Sequence, residues 1–271
     1  MSDPRRALDA IGQLPDVEID IADAALQLAR VDSPGADWEA SRAHLSELAR
    51  EAVLLPGETL AERAESLINL LTSRYGYSGD VDRYDDLANA NLIQVIERRR
   101  GLPVALGIIW LHTARAAGWA AHGIDFPSHF LVALKGKSTQ AVLDVFHGGQ
   151  PMDAPELREL LKRIEGENAE LRPGLLRPMG SRAVLLRLQN NVASRRLQAN
   201  DLSGALVCIE DMLRIAPDQA ELWRQAALLN QRLDQVAAAL KGFERYLELS
   251  PDSRAAGRVR SAMEELRTRL N

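Results

Sequence analysis

The sequence predicts an α+β N-terminal domain, with helices around a small antiparallel sheet, followed by an all-α region of helical repeats. Three observations lead there. Apolar residues recur at helical spacing through the first seventy-odd positions. Two runs with strand character, His129–Leu134 and Ala141–Phe146, flank the polar, glycine-containing stretch Lys135-Gly136-Lys137-Ser138, which is a hairpin signal. From about residue 180 strand signals stop and a 34-residue period begins.

Taken in order, Ile19 to Arg30 is periodic until Asp32-Ser33-Pro34-Gly35 breaks it. Asp37 to Val53 repeats the pattern through Trp38, Leu45 and Leu48, and Leu54-Leu55-Pro56-Gly57 ends it. Thr59 to Tyr75 forms the next helix through Leu60, Ala64, Leu67 and Leu71, and a loop runs on to Asp80. A further helix runs from about Asp86 to Arg99 and stops at Gly101. Its basic end, Arg98-Arg99-Arg100, suits the negative pole of a helix dipole. Pro103 opens the following helix, where its missing N–H would have had no partner anyway. Apolar side chains from Val104 to Leu111 occupy nearly all faces, so this helix should be buried. Gly118 and Gly123 bracket a short Trp119–His122 segment before the two strands.

In the C-terminal region, Gly204-Ala205-Leu206 and Ala238-Ala239-Leu240 lie 34 residues apart, as do Leu213 and Leu247, Ile215 and Leu249, and Pro217-Asp218 and Pro251-Asp252. A period of this length ending in Pro-Asp is the tetratricopeptide signature. Small residues such as Ala205 and Ala239 let paired helices approach, and proline ends each pair. Trp223, Ala239, Phe243 and Pro251 mark the second repeat, with Ala227 in place of the usual glycine; Ala205, Ile209 and Pro217 mark the first. Two repeats are fewer than the roughly three a free-standing array needs. Ser181–Gln198 and Arg254–Leu270 should therefore cap or dock it. A boundary at Leu171-Arg172-Pro173-Gly174 and Arg177-Pro178 gives domains 1–175 and 180–271.

The 271 residues are 46% hydrophobic and 26% charged, a globular balance with ample length for a core. A net charge of −5 gives no attraction to nucleic acid or anionic membrane, so neither is an expected partner. No apolar segment follows the N-terminal residues as in a signal peptide, and no window approaches the roughly 18 apolar residues of a membrane span. A cytoplasmic location is expected. The one cysteine, Cys208, falls among Leu206, Val207 and Ile209 of a repeat helix, which predicts a packed core thiol.

The hairpin carries the candidate chemistry. If it turns on Gly136-Lys137, cross-strand partners place His129 opposite Asp144, in the geometry of a His–Asp pair. A longer turn shifts that register, and the plain alternative is a strand-end histidine beside an unrelated acid. A metal set of His129, Asp144 and His147, with Asp125 or His122, has no HExxH, CxxC or clustered histidine spacing behind it, so no metal is expected. No phosphate-loop sequence occurs, and no cofactor is expected.

A further ordered set of residues spans most of the chain: Tyr84-Asp85, Asn89, Val95 to Arg99, Gly101-Leu102-Pro103-Val104, Ala114-Arg115, Gly118, Pro127, His129 to Val132, Leu143-Asp144, Gly148-Gly149 and Leu185 to Asn191. With them the chain resembles the SirB-type branch of the transglutaminase-like superfamily, bacterial proteins with C-terminal tetratricopeptide repeats. The resemblance covers roughly residues 17–255. It implies a cysteine-protease-like fold and the chain order nucleophile, histidine, aspartate. Counting back from Arg115 and Gly118 by the superfamily's Gly-x-Cys motif lands on Pro103, so the nucleophile position carries proline, and His129 and Asp144 are the remnant pair. Tyr84, Asn89 and Arg99 become candidate binding residues. Asn91, Ile93 and Ser128 depart from the family pattern, the last where glycine is common.

Two functions are open to such a chain. One is a non-catalytic interaction or regulatory module: a degenerate transglutaminase-like fold whose repeats bind a protein or peptide. The other is a hydrolase or transferase that reuses His129 and Asp144 without a thiol. A thiol enzyme needs its thiolate at a helix N-terminus beside the histidine. Proline at that position favours the first.

Overall fold

A computed structural model of the chain describes residues 3–172 and 174–268. Its elements run in chain order as α1 (Pro4–Gly12), α2 (Ile21–Asp32), α3 (Trp38–Ala52), α4 (Leu60–Leu67), β1 (Ser78–Gly79), α5 (Leu92–Arg98), β2 (Arg100–Gly101) and α6 (Pro103–Ala116). Then come β3 (Ala121–Phe126), β4 (His129–Lys135), β5 (Gln140–Asp144), β6 (Gln150–Met152), α7 (Ala154–Glu165) and β7 (Pro178–Met179). The chain ends in α8 (Ser181–Gln198), α9 (Leu202–Ile215), α10 (Ala220–Arg232), α11 (Val236–Leu249) and α12 (Ala256–Thr268). The predicted α+β class with an all-helical C-terminal region is what the chain adopts.

The chain divides into two compact units, residues 15–188 and residues 1–14 with 189–271. This division departs from the expected 1–175 and 180–271 at both ends. The parting falls inside α8, and α1 groups with the repeats. Part of the expected linker, Pro173, lies outside the described residues, as do the final positions of the last predicted helix.

In the first unit, β6-β5-β4-β3-β7 form an antiparallel sheet. One side packs on α7 through Ile124, Phe126, Leu131, Ala133 and Val142 against Leu157, Leu160 and Leu161. Helix α6 approaches β4 closely at Gly107, where an added Cβ would lie 2.2 Å from the Phe130 ring. The predicted two-strand hairpin is therefore the centre of a larger sheet. Strand β3 escapes a periodicity reading because Gly118 and Gly123 look like loop punctuation. Gly118, at φ 75, ends α6, and Gly123 sits inside β3, where a Cβ would strike Phe130. The β3–β4 turn is Pro127-Ser128, and Ser128 adopts φ 49. That left-handed geometry is what glycine supplies at least cost, a physical reason for the family's preference there.

The predicted helix Thr59–Tyr75 is two pieces. A Thr59/Glu62 capping box starts α4, and a π-helical segment takes over from Ile68 to Arg74. The predicted helix Asp86–Arg99 shortens to a 3-10 turn at Leu87–Asn89 followed by α5, which Asn91 caps through its side chain. Strands β1 and β2 make a short parallel bridge, Ser78 with Arg100 and Gly79 with Gly101, which the antiparallel expectation did not include. Helix α7 also had no counterpart in the sequence reading.

The second unit contains the repeats. In the α10–α11 pair, a Cβ on Gly242 would lie 3.0 Å from the Ala227 Cβ, so glycine on one helix and alanine on the other set the close approach. Trp223 Nε1 donates to the Pro217 carbonyl at 2.7 Å, tying α10 to the preceding Pro-Asp corner. Helix α1 lies against α9: Gly12 leaves room for the Arg214 carbonyl, and Arg5 and Arg214 both pair with the buried Asp211. Cys208 is 2% exposed in α9, as predicted.

Candidate functional site

Asp144 ends β5, and its carboxylate organises the turn beyond the strand. Oδ1 accepts from the backbone N–H groups of Phe146 (3.1 Å) and His147 (3.3 Å) and from His129 Nε2 (3.0 Å). Oδ2 accepts from His147 Nδ1 at 2.9 Å. The Gly149 N–H closes the turn onto the Asp144 carbonyl at 2.8 Å. Gly148 and Gly149, at φ 74 and 86, shape it, and a Cβ on Gly149 would collide with Trp110. Thr72, within the π-helical segment, donates to the Gly148 carbonyl at 3.0 Å. An irregular helix thus fixes an irregular turn beside the candidate site, a common placement for π-helical segments.

The predicted His129–Asp144 contact forms, but not by the predicted register. The hairpin closes through Gly136–Thr139, and β4 pairs with β5 as Val132↔Leu143, two residues away from the register a Gly136-Lys137 turn would set. His129 therefore reaches Asp144 diagonally, within the span a long side chain covers across a sheet. Its ring is 11% exposed and lies near Phe146 and His147, with centroids 6.3 Å from each. Burial pushes the Asp144 carboxyl up, but the hydrogen bonds and charges of His129 and His147 outweigh it and hold the group at about 2. Asp144 is thus an ionised acceptor at neutral pH. With Nε2 donating to this carboxylate, Nδ1 is the ring nitrogen left for another partner.

Pro103 is buried at the first turn of α6 and offers neither an N–H nor a nucleophile. A chain of contacts leads from there to the pair. Gly101 pairs with Gly79, the Gly79 N–H donates to the Phe146 carbonyl at 2.9 Å, and the Phe146 ring sits by His129. Gly79 is required under Phe146, since an added Cβ would lie 2.5 Å from the ring.

The three proposed binding residues divide. Tyr84 packs edge-on against Phe146 with centroids 5.7 Å apart and is 39% exposed, so it stands beside the pair and reaches solvent. Asn89 is fully buried. Its Nδ2 donates to the Arg83 carbonyl, its Oδ1 accepts from Arg98, and its carbonyl accepts the Leu102 N–H at 2.9 Å. These bonds anchor the entry to α6. Arg99, at φ 59, turns its guanidinium to His44 Nε2 (2.8 Å) and the Tyr77 hydroxyl, 4.8 Å from the Tyr77 ring centroid. Burial and this arginine hold the His44 pKa down. Both residues make hydrogen bonds within the fold, and Arg99 stays partly exposed.

Arg187 on α8 was missed as a site residue. It donates from Nη2 to the His129 carbonyl at 2.7 Å and pairs with Asp125. Arg187 falls within the Leu185–Asn191 stretch of the family set, but nothing in that local pattern relates it to His129. His122, weighed beside Asp144 as a ligand, lies elsewhere. It lines a cavity of about 830 Å³ with Asp16, Asp20, His112, Arg115 and Lys135, and neither His129 nor Asp144 lines that cavity.

A model of the transglutaminase-like superfamily matches residues 39–190, and a tetratricopeptide-repeat model matches residues 194–264. Among curated proteins, the chain is similar to a UPF0162 protein of Xylella fastidiosa, 36% identical over 199 residues that cover 72% of this chain and 71% of the relative. A UPF0162 protein of Pseudomonas aeruginosa is 30% identical over 267 residues, covering 97% and 96% of the two chains. One from Vibrio cholerae is 27% identical over 255 residues, covering 93% and 92%.

Proposed function

The chain belongs to the transglutaminase-like superfamily, and from that premise we propose that it is a non-catalytic, cytoplasmic interaction protein of the SirB-type branch, a pseudoenzyme whose repeats bind a protein or peptide. The observation that carries the reading is Pro103 at the helix N-terminus where the superfamily motif places its cysteine, together with a sole cysteine packed inside the repeats. Neither position supplies a thiolate to His129. The repeats support the binding half. An apolar cleft of about 340 Å³ lies between Leu197, Ile209, Leu228 and Leu229, rimmed by Gln225 and Arg232, with room for an anchoring peptide side chain. No described helix is long and apolar enough to cross a membrane.

A second reading rests on the His129–Asp144 bond: an enzyme that uses the imidazole as a base without covalent catalysis. One set of assays separates the two. The full chain is incubated with glutamine acyl donors plus a primary amine, and with peptide amides and esters. No product above buffer is expected. A partner captured by the full chain should be retained by Cys208→Ser and His129→Ala and lost with Leu228→Asp. Turnover that disappears in a folded His129→Ala variant would overturn the non-catalytic reading.

A further inference from the structure

We propose that His129, Asp144 and His147 form a binding site for one divalent transition-metal ion of the zinc class. Sequence spacing offered no reason to expect it, because His129 lies far from Asp144 along the chain. Folding brings one ligand atom from each of the three to within 4.8 Å of the others. His147 Nδ1 lies 2.9 Å from Oδ2 and His129 Nε2 lies 3.0 Å from Oδ1; ligand atoms about 2.1 Å from a tetrahedral ion stand roughly 3.4 Å apart, so small side-chain rotations open these contacts enough to admit one. The two imidazoles need to close by roughly 1–1.5 Å on one another to share an ion at such bond lengths. His147 is free to do this: its side chain is 54% exposed, and rotation about χ1 and χ2 moves the ring while the backbone turn stays pinned by Gly149 and Thr72.

The surroundings suit a cation. The carboxylate supplies one negative charge, and an imidazole coordinates a metal ion in its neutral form. The Phe146 and His147 N–H groups hold Oδ1, leaving Oδ2 the freer oxygen for a metal, the kind of outer hydrogen bonding that orients metal ligands. On binding, each coordinating ring nitrogen turns its lone pair to the ion. The proton it had shared with Asp144 moves to the other ring nitrogen or to solvent. Two imidazoles and one carboxylate select zinc, cobalt or nickel over calcium or magnesium, which prefer all-oxygen shells. Three protein ligands with a half-exposed histidine leave a position for water or for an oxygen of a bound partner. An ion here is compatible with a partner site as well as with hydrolysis, so the metal site stands or falls independently of the interaction-protein reading.

The test uses the full, tag-free chain stripped with a chelator and desalted. Zn²⁺ is titrated by calorimetry and Co²⁺ by visible absorption. One equivalent should bind with micromolar or tighter affinity, and Co²⁺ should show ligand-field bands without a near-ultraviolet thiolate band. His147→Ala keeps the fold, since its side chain is half-exposed, and should weaken binding at least about tenfold. Asp144→Asn should do the same, and His122→Ala, outside the cluster, should leave the affinity unchanged. Ca²⁺ should not compete. Absence of binding, or a His147→Ala affinity within tenfold of the wild type, would overturn the proposal. A thiolate band would also overturn it, by assigning the ion to Cys208.

Discussion

Removing the Asp144 carboxylate is the sharpest test of the candidate site. The residue is 3% exposed and accepts four hydrogen bonds, two of them from backbone N–H groups in a buried turn. Two routes give the magnitude. A carboxyl group held at about 2 instead of 3.8 contributes about 2.4 kcal/mol at neutral pH, at 1.36 kcal/mol per pKa unit. Independently, an orphaned buried polar group costs roughly 1–3 kcal/mol, while the contact to half-exposed His147 adds little. Asp144→Ala should therefore lower stability by about 1–3 kcal/mol. The sign with pH is set by a depressed folded-state pKa: the contribution is complete above the unfolded value near 3.8 and fades as pH falls through about 2. Urea unfolding of wild type and variant, in a chelator to exclude metal effects, should show a gap that is constant at neutral pH and shrinks between about pH 4 and pH 2. A double-mutant cycle with His129→Ala should show the double variant less destabilised than the sum of the two single changes. A gap below about 0.5 kcal/mol, or strict additivity, would refute the claim that the pair holds this turn together.

Gly107→Ala should destabilise by about 1–3 kcal/mol despite alanine's higher helix propensity, because its Cβ would lie 2.2 Å from Phe130; an unchanged or raised melting temperature would contradict the α6–β4 packing. Ser128→Gly should be neutral or stabilising by up to about 1 kcal/mol, and Ser128→Val destabilising, since the position sits at φ 49; thermal melts showing the reverse order would rule out the left-handed turn. Cys208 should react with a thiol reagent only at the rate of unfolding, being 2% exposed in α9; fast stoichiometric labelling of the native protein would place it elsewhere. Thr59→Ala, which breaks the capping box, should cost about 1 kcal/mol in chemical denaturation, and no change would mean that the irregular Ile68–Arg74 segment rather than the cap limits this helix.

Local chemistry determined a good deal. Pro103 at a helix start, the burial of α6 on nearly all faces, the hairpin at Lys135–Ser138, the 34-residue period and the packed Cys208 were all legible, because each depends on neighbours within a turn or on a spacing that folding preserves. The boundaries Ser181 and Gln198 of α8 were legible for the same reason. Tertiary structure decided the rest. Whether Asn89 and Arg99 face a ligand or the scaffold depends on Arg98, Leu102, His44 and Tyr77, which no periodicity relates to them. Strand β3 and the parallel β1–β2 bridge exist because partner strands accept them, although nothing in their own residues reads as strand. The two-residue shift of the β4–β5 register came from turn geometry, and His129 kept Asp144 only because side chains on one face of a sheet also reach diagonal neighbours. The union of His129, Asp144 and His147 depended on that diagonal and on a glycine turn held from a distant π-helical segment. Sequence alone names such residues; only the folded backbone gives the distances that make them a site.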